Sequence, residues 1–319
     1  MAETFFTVDE GNPRAVTGIR RKPDGTAQLP DQAVPDGDTV GVQLDGTGST
    51  RFLGIDTAEK AFEQPLGGGQ ALDGAKWDQY LTNPFANGYP VQLLEPPLVA
   101  HLQPRFGAGA AANHHRHAVA AGDSLRQLIL SDQVAMGQTP EQFRYFLAFA
   151  YEVFDRYGRF LAFVNRNQPD AAVPGPRPPS YNERQLRAGR ALPYFIWPNI
   201  NPFRDAPTVV DAVPLPGTAR QLAESGDLRK ARDAVKLARA NGLGVFDPAD
   251  PLRFEAFEVR FLGRAEVPVR AVIDLSRDDT VILRPQSYFK IPNPEDRLFI
   301  PGEFIPLFAA RGWQLEGFV

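Results

Sequence analysis

Cysteine is absent from the chain, which excludes disulfides and thiolate metal sites and leaves the redox compartment unread. No run approaches the roughly eighteen apolar residues that a membrane-spanning helix needs, so no membrane partner is expected. The opening stretch from Met1 to Val16 lacks a basic start followed by an apolar core, so no signal peptide is expected there and a cytoplasmic location is the default. A basic excess is missing too, since the formal net charge is −4. That argues against sequence-blind coating of duplex DNA, whose affinity comes mainly from neutralising phosphates. It does not exclude a few local arginines serving one phosphodiester at a time. Internal repeats and long low-complexity tracts are also lacking.

What is present is ordinary in bulk: 43% hydrophobic and 23% charged residues over 319 positions, enough for one large domain or two modest ones. The 30 prolines and 28 glycines gather in joints, at Pro96-Pro97, at Gly67-Gly68-Gly69 and along Val173 to Ser180, which read as loops. Alternating Val40, Val42 and Leu44, turn chemistry at Asp45 to Gly48, and a return from Arg51 to Ile55 read as a hairpin. Val91 to Leu94 is a short apolar piece in an otherwise loose stretch. Helical periodicity covers His117 to Leu130, Tyr181 to Leu192 and Thr218 to Asn241. Strands are predicted over Phe143 to Phe154 and Phe160 to Val164. Beyond about Asp250 the texture shifts to short strands and Pro-rich turns, which marks a boundary.

The chemistry concentrates between Val34 and Glu59. Asp38 opens one strand of the hairpin and Asp56 ends its partner, so both carboxylates can face one hard, oxygen-loving cation, with the Thr57 carbonyl as a third ligand. Glu59, three residues on, can orient or deprotonate water. Arg51 can grip phosphate oxygens bidentately. Taken singly, each element has a plainer reading: Asp-Gly-Asp-Thr as a turn, Asp56-Thr57 as a helix cap or Asx turn, and Arg51 as half of a solvated ion pair. His114 and His117, three apart, have a spacing that Zn²⁺ can use, against a polar helix start at the surface. Asp274, Asp278 and Asp279 around Arg277 read as a second acidic site or as turn residues.

Three separated segments resemble the thermonuclease (staphylococcal-nuclease-like) family. Asp38-Thr39-Val40 preceded by Asp36-Gly37, followed by Arg51 to Glu59 (RFLGIDTAE), resembles the family's Asp-Gly-Asp-Thr hairpin and its Arg-bearing strand ending in Asp-Thr-Pro-Glu. Asp155 to Ala162 (DRYGRFLA) resembles the strand that supplies a second phosphate-binding arginine. Asn182-Glu183 to Ala191, with Leu186 and Gly189, resembles the family's Asn-Glu helix, and Tyr194 and Pro198-Asn199 follow. The resemblance implies an α+β fold, a five-stranded OB-type β-barrel with packed helices. It implies a Ca²⁺-dependent nuclease that hydrolyses DNA and/or RNA, single-stranded or breathing, and leaves 3′-phosphate ends. Asp38, Asp56 and the Thr57 carbonyl would hold Ca²⁺, and Glu59 would be the general base or the water-orienting carboxylate. Arg51 and Arg159 would clamp the scissile phosphate, and Tyr157 and Tyr194 would contact the nucleotide or simply line a barrel rim.

Ala58 departs from the family's proline. The resemblance organises residues 15–250 as one nuclease-like domain, with an insertion over about 60–113 and a Pro-rich loop at 168–180. The insertion leaves from the rim of the site, as a lid, a specificity element or a partner surface. Residues 251–319 form an extension or small module with no family counterpart. The competing functional reading is a catalytically weak nuclease-like module that binds nucleic acid or protein, and a third is a phosphodiesterase for a small substrate.

Overall fold

A computed structural model of the chain describes residues 14–44, 46–62, 69–155 and 157–317. The N-terminal stretch read for a signal peptide falls mostly outside the described residues, as do Asp45 of the hairpin turn, the Gly67-Gly68 pair and Arg156. Strands β1 (Arg14–Gly18), β2 (Thr39–Leu44), β3 (Gly46–Phe52) and β4 (Gly54–Asp56) come first, and the aromatic run forms β5 (Arg144–Phe154) and β6 (Phe160–Arg166). All but β4 share one sheet in the order β1-β5-β6-β3-β2. Its neighbours are antiparallel except β3 and β6, which run parallel. Just past β1, Ile19 bridges Val42 of β2, and the Arg20 N–H donates to the Gly41 carbonyl at 3.1 Å, linking the two outer strands. The fold is mixed α+β. Regular ladder pairing among the described residues does not by itself close this sheet into a barrel.

The helices differ from their sequence outlines for identifiable reasons. Pro96-Pro97 is not a joint: after α1 (Ala75–Thr82) it opens α2 (Pro96–Leu102), where a missing N–H costs nothing because first-turn donors are unpaired anyway. The helix outlined at His117 is longer, as α3 (Ala110–Met136), and it stops at Gly137, which takes φ +61°. Its buried face, Ala111, His114, Ala118, Ala121, Leu125, Ile129 and Asp132, recurs every three or four residues. The next helix, α4 (Tyr181–Arg187), starts in a capping box between Ser180 and Glu183. It ends early because Gly189, at φ +62°, passes so close to Leu243 that a Cβ would lie 2.2 Å from the Leu243 carbonyl oxygen. The outline from Thr218 to Asn241 breaks at Ser225-Gly226 into a short turn of helix and α5 (Gly226–Ala240), with Gly226 at φ +56°.

Strand β7 (Leu192–Ile196) ties the end of the chain to its beginning. With β8 (Ala271–Asp274) and β9 (Arg297–Ile300) it forms a second sheet in the order β8-β9-β7-β4. Two hydrophobic cores result. One lies around the larger sheet, with Val40, Phe52, Leu147 and Val164. The other joins the insertion to the C-terminal segment: Trp77, Tyr80, Leu98 and Leu102 pack with Phe254, Phe257, Leu262 and Tyr288 around α6 (Ala256–Arg264). The Tyr80 hydroxyl donates to the Leu262 carbonyl at 2.7 Å. Each such side chain contributes about 1.5–3 kcal/mol by burial. The described insertion therefore packs on α6 through Trp77, Tyr80, Leu98 and Leu102, while Ala61, Phe62 and Gly69 line the rim of the cleft. Among the described residues no helix is long and apolar enough to cross a membrane.

Candidate active site

Backbone pairing brings the three sequence segments to one place. Thr39 pairs with Arg51 across the β2–β3 hairpin, and the Asp38 carbonyl accepts the Phe52 N–H at 2.8 Å. Parallel pairing of β3 with β6 sets Arg51 opposite Leu161, two residues beyond Arg159. Antiparallel pairing of β4 with β7 sets Gly54 opposite Tyr194 and Asp56 opposite Leu192. Helix α4 locks this frame through two buried amides. Asn182 donates to the Leu53 carbonyl at 2.8 Å and accepts the Val164 N–H at 2.9 Å. Gln185 donates to the carbonyls of Gly37 and Ala121, each at 2.8 Å. Gly37 must be glycine, because a Cβ there would sit 2.4 Å from the Ala121 Cβ of α3. The residue before Asp38 is thus pressed against a helix, which fixes where the carboxylate starts.

The hairpin acids and Arg51 meet as the sequence suggests. Arg51 Nη2 lies 2.6 Å from Asp56 Oδ1 and 3.8 Å from Asp38 Oδ2. Asp38 Oδ2 accepts the Thr57 N–H at 3.1 Å, and Oδ1 accepts the Thr39 hydroxyl at 3.2 Å. A residue that sequence reasoning missed completes the cluster. Arg260 of α6 is bidentate on Asp56, at 3.0 Å to Oδ1 and 2.5 Å to Oδ2, and reaches Glu59 Oε1 at 2.7 Å. Nothing local marks Arg260, since it stands about two hundred positions from its partners on a helix outside the family resemblance. His114 is not at a polar surface helix start, as the sequence reading preferred, but fully buried within α3. Its Nε2 accepts the Glu59 N–H at 2.9 Å, while His117 Nε2 donates to the Asp250 carbonyl at 2.9 Å, so the pair shares no metal.

The charges tune one another. Burial raises the Glu59 carboxyl above its usual range, although Arg260 and Arg51 pull it back. Burial is the largest influence on Asp38 and would raise it, but Arg51, the hydrogen bonds from Asp36 and the Thr57 N–H, and Arg260 together outweigh burial and hold Asp38 below the usual carboxylate range. Asp36, on the wall of the same cleft, is pushed well above the usual carboxylate range by burial and then by Asp38 and Glu59. Burial holds the His114 imidazole down to about 3, which keeps it neutral and able to accept from Glu59. Burial disfavours the charge on Arg260, yet Asp56 and Glu59 overcome this and hold it firmly protonated.

A cleft of about 930 Å³ opens above the cluster, lined by Arg51, Glu59, Tyr157, Arg159, Tyr194 and Arg260 among others. Asp38 and Asp56 lie beneath it, each 4% exposed. Asp155 accepts the backbone N–H groups of Tyr157 and Arg159 at 2.9 and 3.0 Å and takes Arg159 Nε at 2.7 Å. Arg159 is thereby aimed through Nε, and among the described residues no hydrogen bond takes its Nη pair. Tyr157 is exposed, with its hydroxyl accepting from Arg264 at 2.8 Å; Tyr194 is half-buried against Phe257, its hydroxyl accepting from Arg270 at 2.9 Å. Arg264 and Arg270 also line the cleft, so the C-terminal segment builds one of its walls. The distal acids around Arg277 form a turn: Asp274 accepts from Ser276 and Arg277, and Asp278 pairs with Arg220.

Among the described residues no group of three or more His, Asp or Glu side chains is arranged to hold a metal ion. The donor set implied for Ca²⁺ does not fit a dication in this arrangement. Both Asp56 oxygens already accept from guanidiniums, and both Asp38 oxygens accept from Thr39 and Thr57. No protein-family model matches the chain, and no curated protein matches it.

Proposed function

We propose that the cleft binds and hydrolyses phosphodiesters of DNA and/or RNA, in strands whose bases can leave the stack. The observation that carries this reading is the convergence of Arg51 and Glu59 of the hairpin segment with the distant Arg159 on one cleft bordered by Tyr157 and Tyr194. Arg51 and Arg159 would hold the non-bridging oxygens, where charge grows as water adds to phosphorus, and such donors are typically worth about 10²–10³ in rate. Glu59 would take the proton from the attacking water as the new P–O bond forms and the bond to the leaving oxygen breaks. Its N–H bond to His114 and its carboxylate bond to Arg260 keep it from rotating away. The exposed Tyr157 ring, with Arg159 at 5.5 Å from its centroid, would supply a stacking face for a base.

The same reading extends to the fold. An OB-type barrel is supported by the parallel β3–β6 pairing and by the Ile19–Val42 bridge between the outer strands. The test is a cleavage assay on single-stranded DNA, RNA, plasmid and small phosphodiesters, each with excess calcium and with excess chelator, using the wild type and Glu59→Ala. Cleavage lost in Glu59→Ala supports the proposal. Nucleic-acid binding without any cleavage would replace it with the non-catalytic module.

A further inference from the structure

We infer that Arg260 is a resident cation of the acidic cluster: its guanidinium takes the position a dication would need, so phosphate binding in this cleft proceeds without divalent metal. This positioning role rests on the phosphodiester reading above, but its test does not depend on catalysis.

The geometry is specific. Arg260 lays one edge of its guanidinium along both oxygens of Asp56 and extends Nη1 to Glu59, so one planar cation bridges the two carboxylates. Such a fork is the pairing for which guanidinium is preorganised, and a compact ammonium cannot reproduce it. Two guanidiniums, Arg51 and Arg260, already face the three carboxylates Asp38, Asp56 and Glu59. Adding a dication would put four positive charges against those three negative ones, and Asp56 Oδ1, which already accepts from both guanidiniums, has no lone pair left for it. Ca²⁺ can therefore enter only if Arg260 withdraws. Withdrawal is opposed by the packing of α6, whose Phe257, Val259, Phe261 and Leu262 are held in the second core. Two residues before Arg260, Glu258 is pinned by Arg105 at 2.8 Å and by Tyr288. A flexible surface arginine would yield to a dication, whereas one carried on an anchored helix, with its side chain 15% exposed, does not.

The full chain is titrated with CaCl₂ by calorimetry and with Tb³⁺ by luminescence, as the wild type and as Arg260→Ala. Affinity for thymidine 3′,5′-bisphosphate is measured in calcium and in chelator. The wild type is expected to show no saturable Ca²⁺ binding and a bisphosphate affinity that differs less than about twofold between the two conditions. Arg260→Ala, freed of its internal cation, is expected to gain one saturable Ca²⁺ site, and its bisphosphate affinity should then rise about tenfold or more with calcium. Stoichiometric Ca²⁺ binding by the wild type overturns the inference, and so does an Arg260→Ala variant, folded by circular dichroism, that gains no site. If Arg260→Ala fails to fold, Arg260→Gln keeps the side-chain length and carries the same comparison. The wild-type titration decides regardless. If no nucleic acid is cleaved under any condition, the functional proposal falls while the calcium result still reads.

Discussion

Replacing Glu258 by Gln tests whether the C-terminal segment is held in place electrostatically. Glu258 is fully buried, takes Arg105 at 2.8 and 2.9 Å through its two oxygens, and accepts the Tyr288 hydroxyl and the Glu255 N–H. Burial alone would raise its pKa, but Arg105, followed by His101 and Tyr288, drives it down to about 2 from an ordinary 4.5. That depression corresponds to about 3 kcal/mol of stability at neutral pH. The figure is a ceiling, because burial and the Glu258 charge together push the neighbouring Glu255 carboxyl up, and part of that cost is relieved in the variant. Since the folded-state value lies below the unfolded one, the contribution is fully present above pH 4.5 and is lost as pH falls toward 2. At pH 3 roughly 1 kcal/mol should remain. Urea denaturation followed by circular dichroism at pH 7 and pH 3, wild type against Glu258→Gln, measures both differences. For a chain of 319 residues, with an unfolding entropy of about 0.7 kcal/mol/K, the neutral-pH loss lowers Tm by about 4–5 °C. An equal stability gap at the two pH values would refute the reasoning, because it would make the loss one of packing and not of charge.

Four further outcomes are expected. Arg159→Ala should lower kcat on a nucleic-acid substrate about 10²–10³-fold while leaving the circular dichroism spectrum unchanged, and near-normal turnover would remove Arg159 from the clamp. The cleavage rate should rise with pH through a midpoint above 4.5, because the base must be ionised and burial raises the Glu59 carboxyl above that value; a pH–rate profile with its acid limb at or below 4.5 would count against Glu59. Asp132→Ala should cost about 3–5 kcal/mol in denaturant titrations, since Asp132 bridges Arg166 at 3.2 Å and Arg184 at 2.6 Å and its loss leaves one buried and one partly buried guanidinium without that counter-charge. Gly189→Ala should destabilise by at least about 1–2 kcal/mol from the left-handed φ alone, with more from the clash against the Leu243 carbonyl, and a neutral effect on Tm would contradict the observed approach.

Much of the site was legible because its parts are local in sequence or repeat a short pattern. Alternation at Val40 and Val42 and the Asp155 to Arg159 turn follow from residue type over a few positions, whereas Gly46 to Gly48, read as turn, belong to β3. The Asn182-Glu183 motif reads as the start of a helix, and the structure uses Glu183 in a capping box with Ser180, and Asn182 to seat α4 on β6. The sequence set the metal reading of His114 and His117 behind a polar helix start, and residues three apart on a helix share a face without sharing a partner: α3 turns one imidazole to Glu59 and the other to Asp250. Pro96-Pro97 misled because proline signals a helix start as readily as a loop.

By itself, then, the sequence determined the hairpin, the aromatic strands, the Asn-Glu helix and the acids and arginines that they carry, since backbone preference and side-chain alternation act over a handful of residues. Only the tertiary structure decided that the insertion packs on the C-terminal segment, that β8 and β9 extend a sheet beginning at Asp56, and that Arg260 lies on Asp56 and Glu59. Those contacts join residues up to about two hundred positions apart. They are selected by the burial of Trp77, Tyr80 and Phe257 in a shared core, a cooperative choice to which no single window of sequence contributes enough free energy to be read.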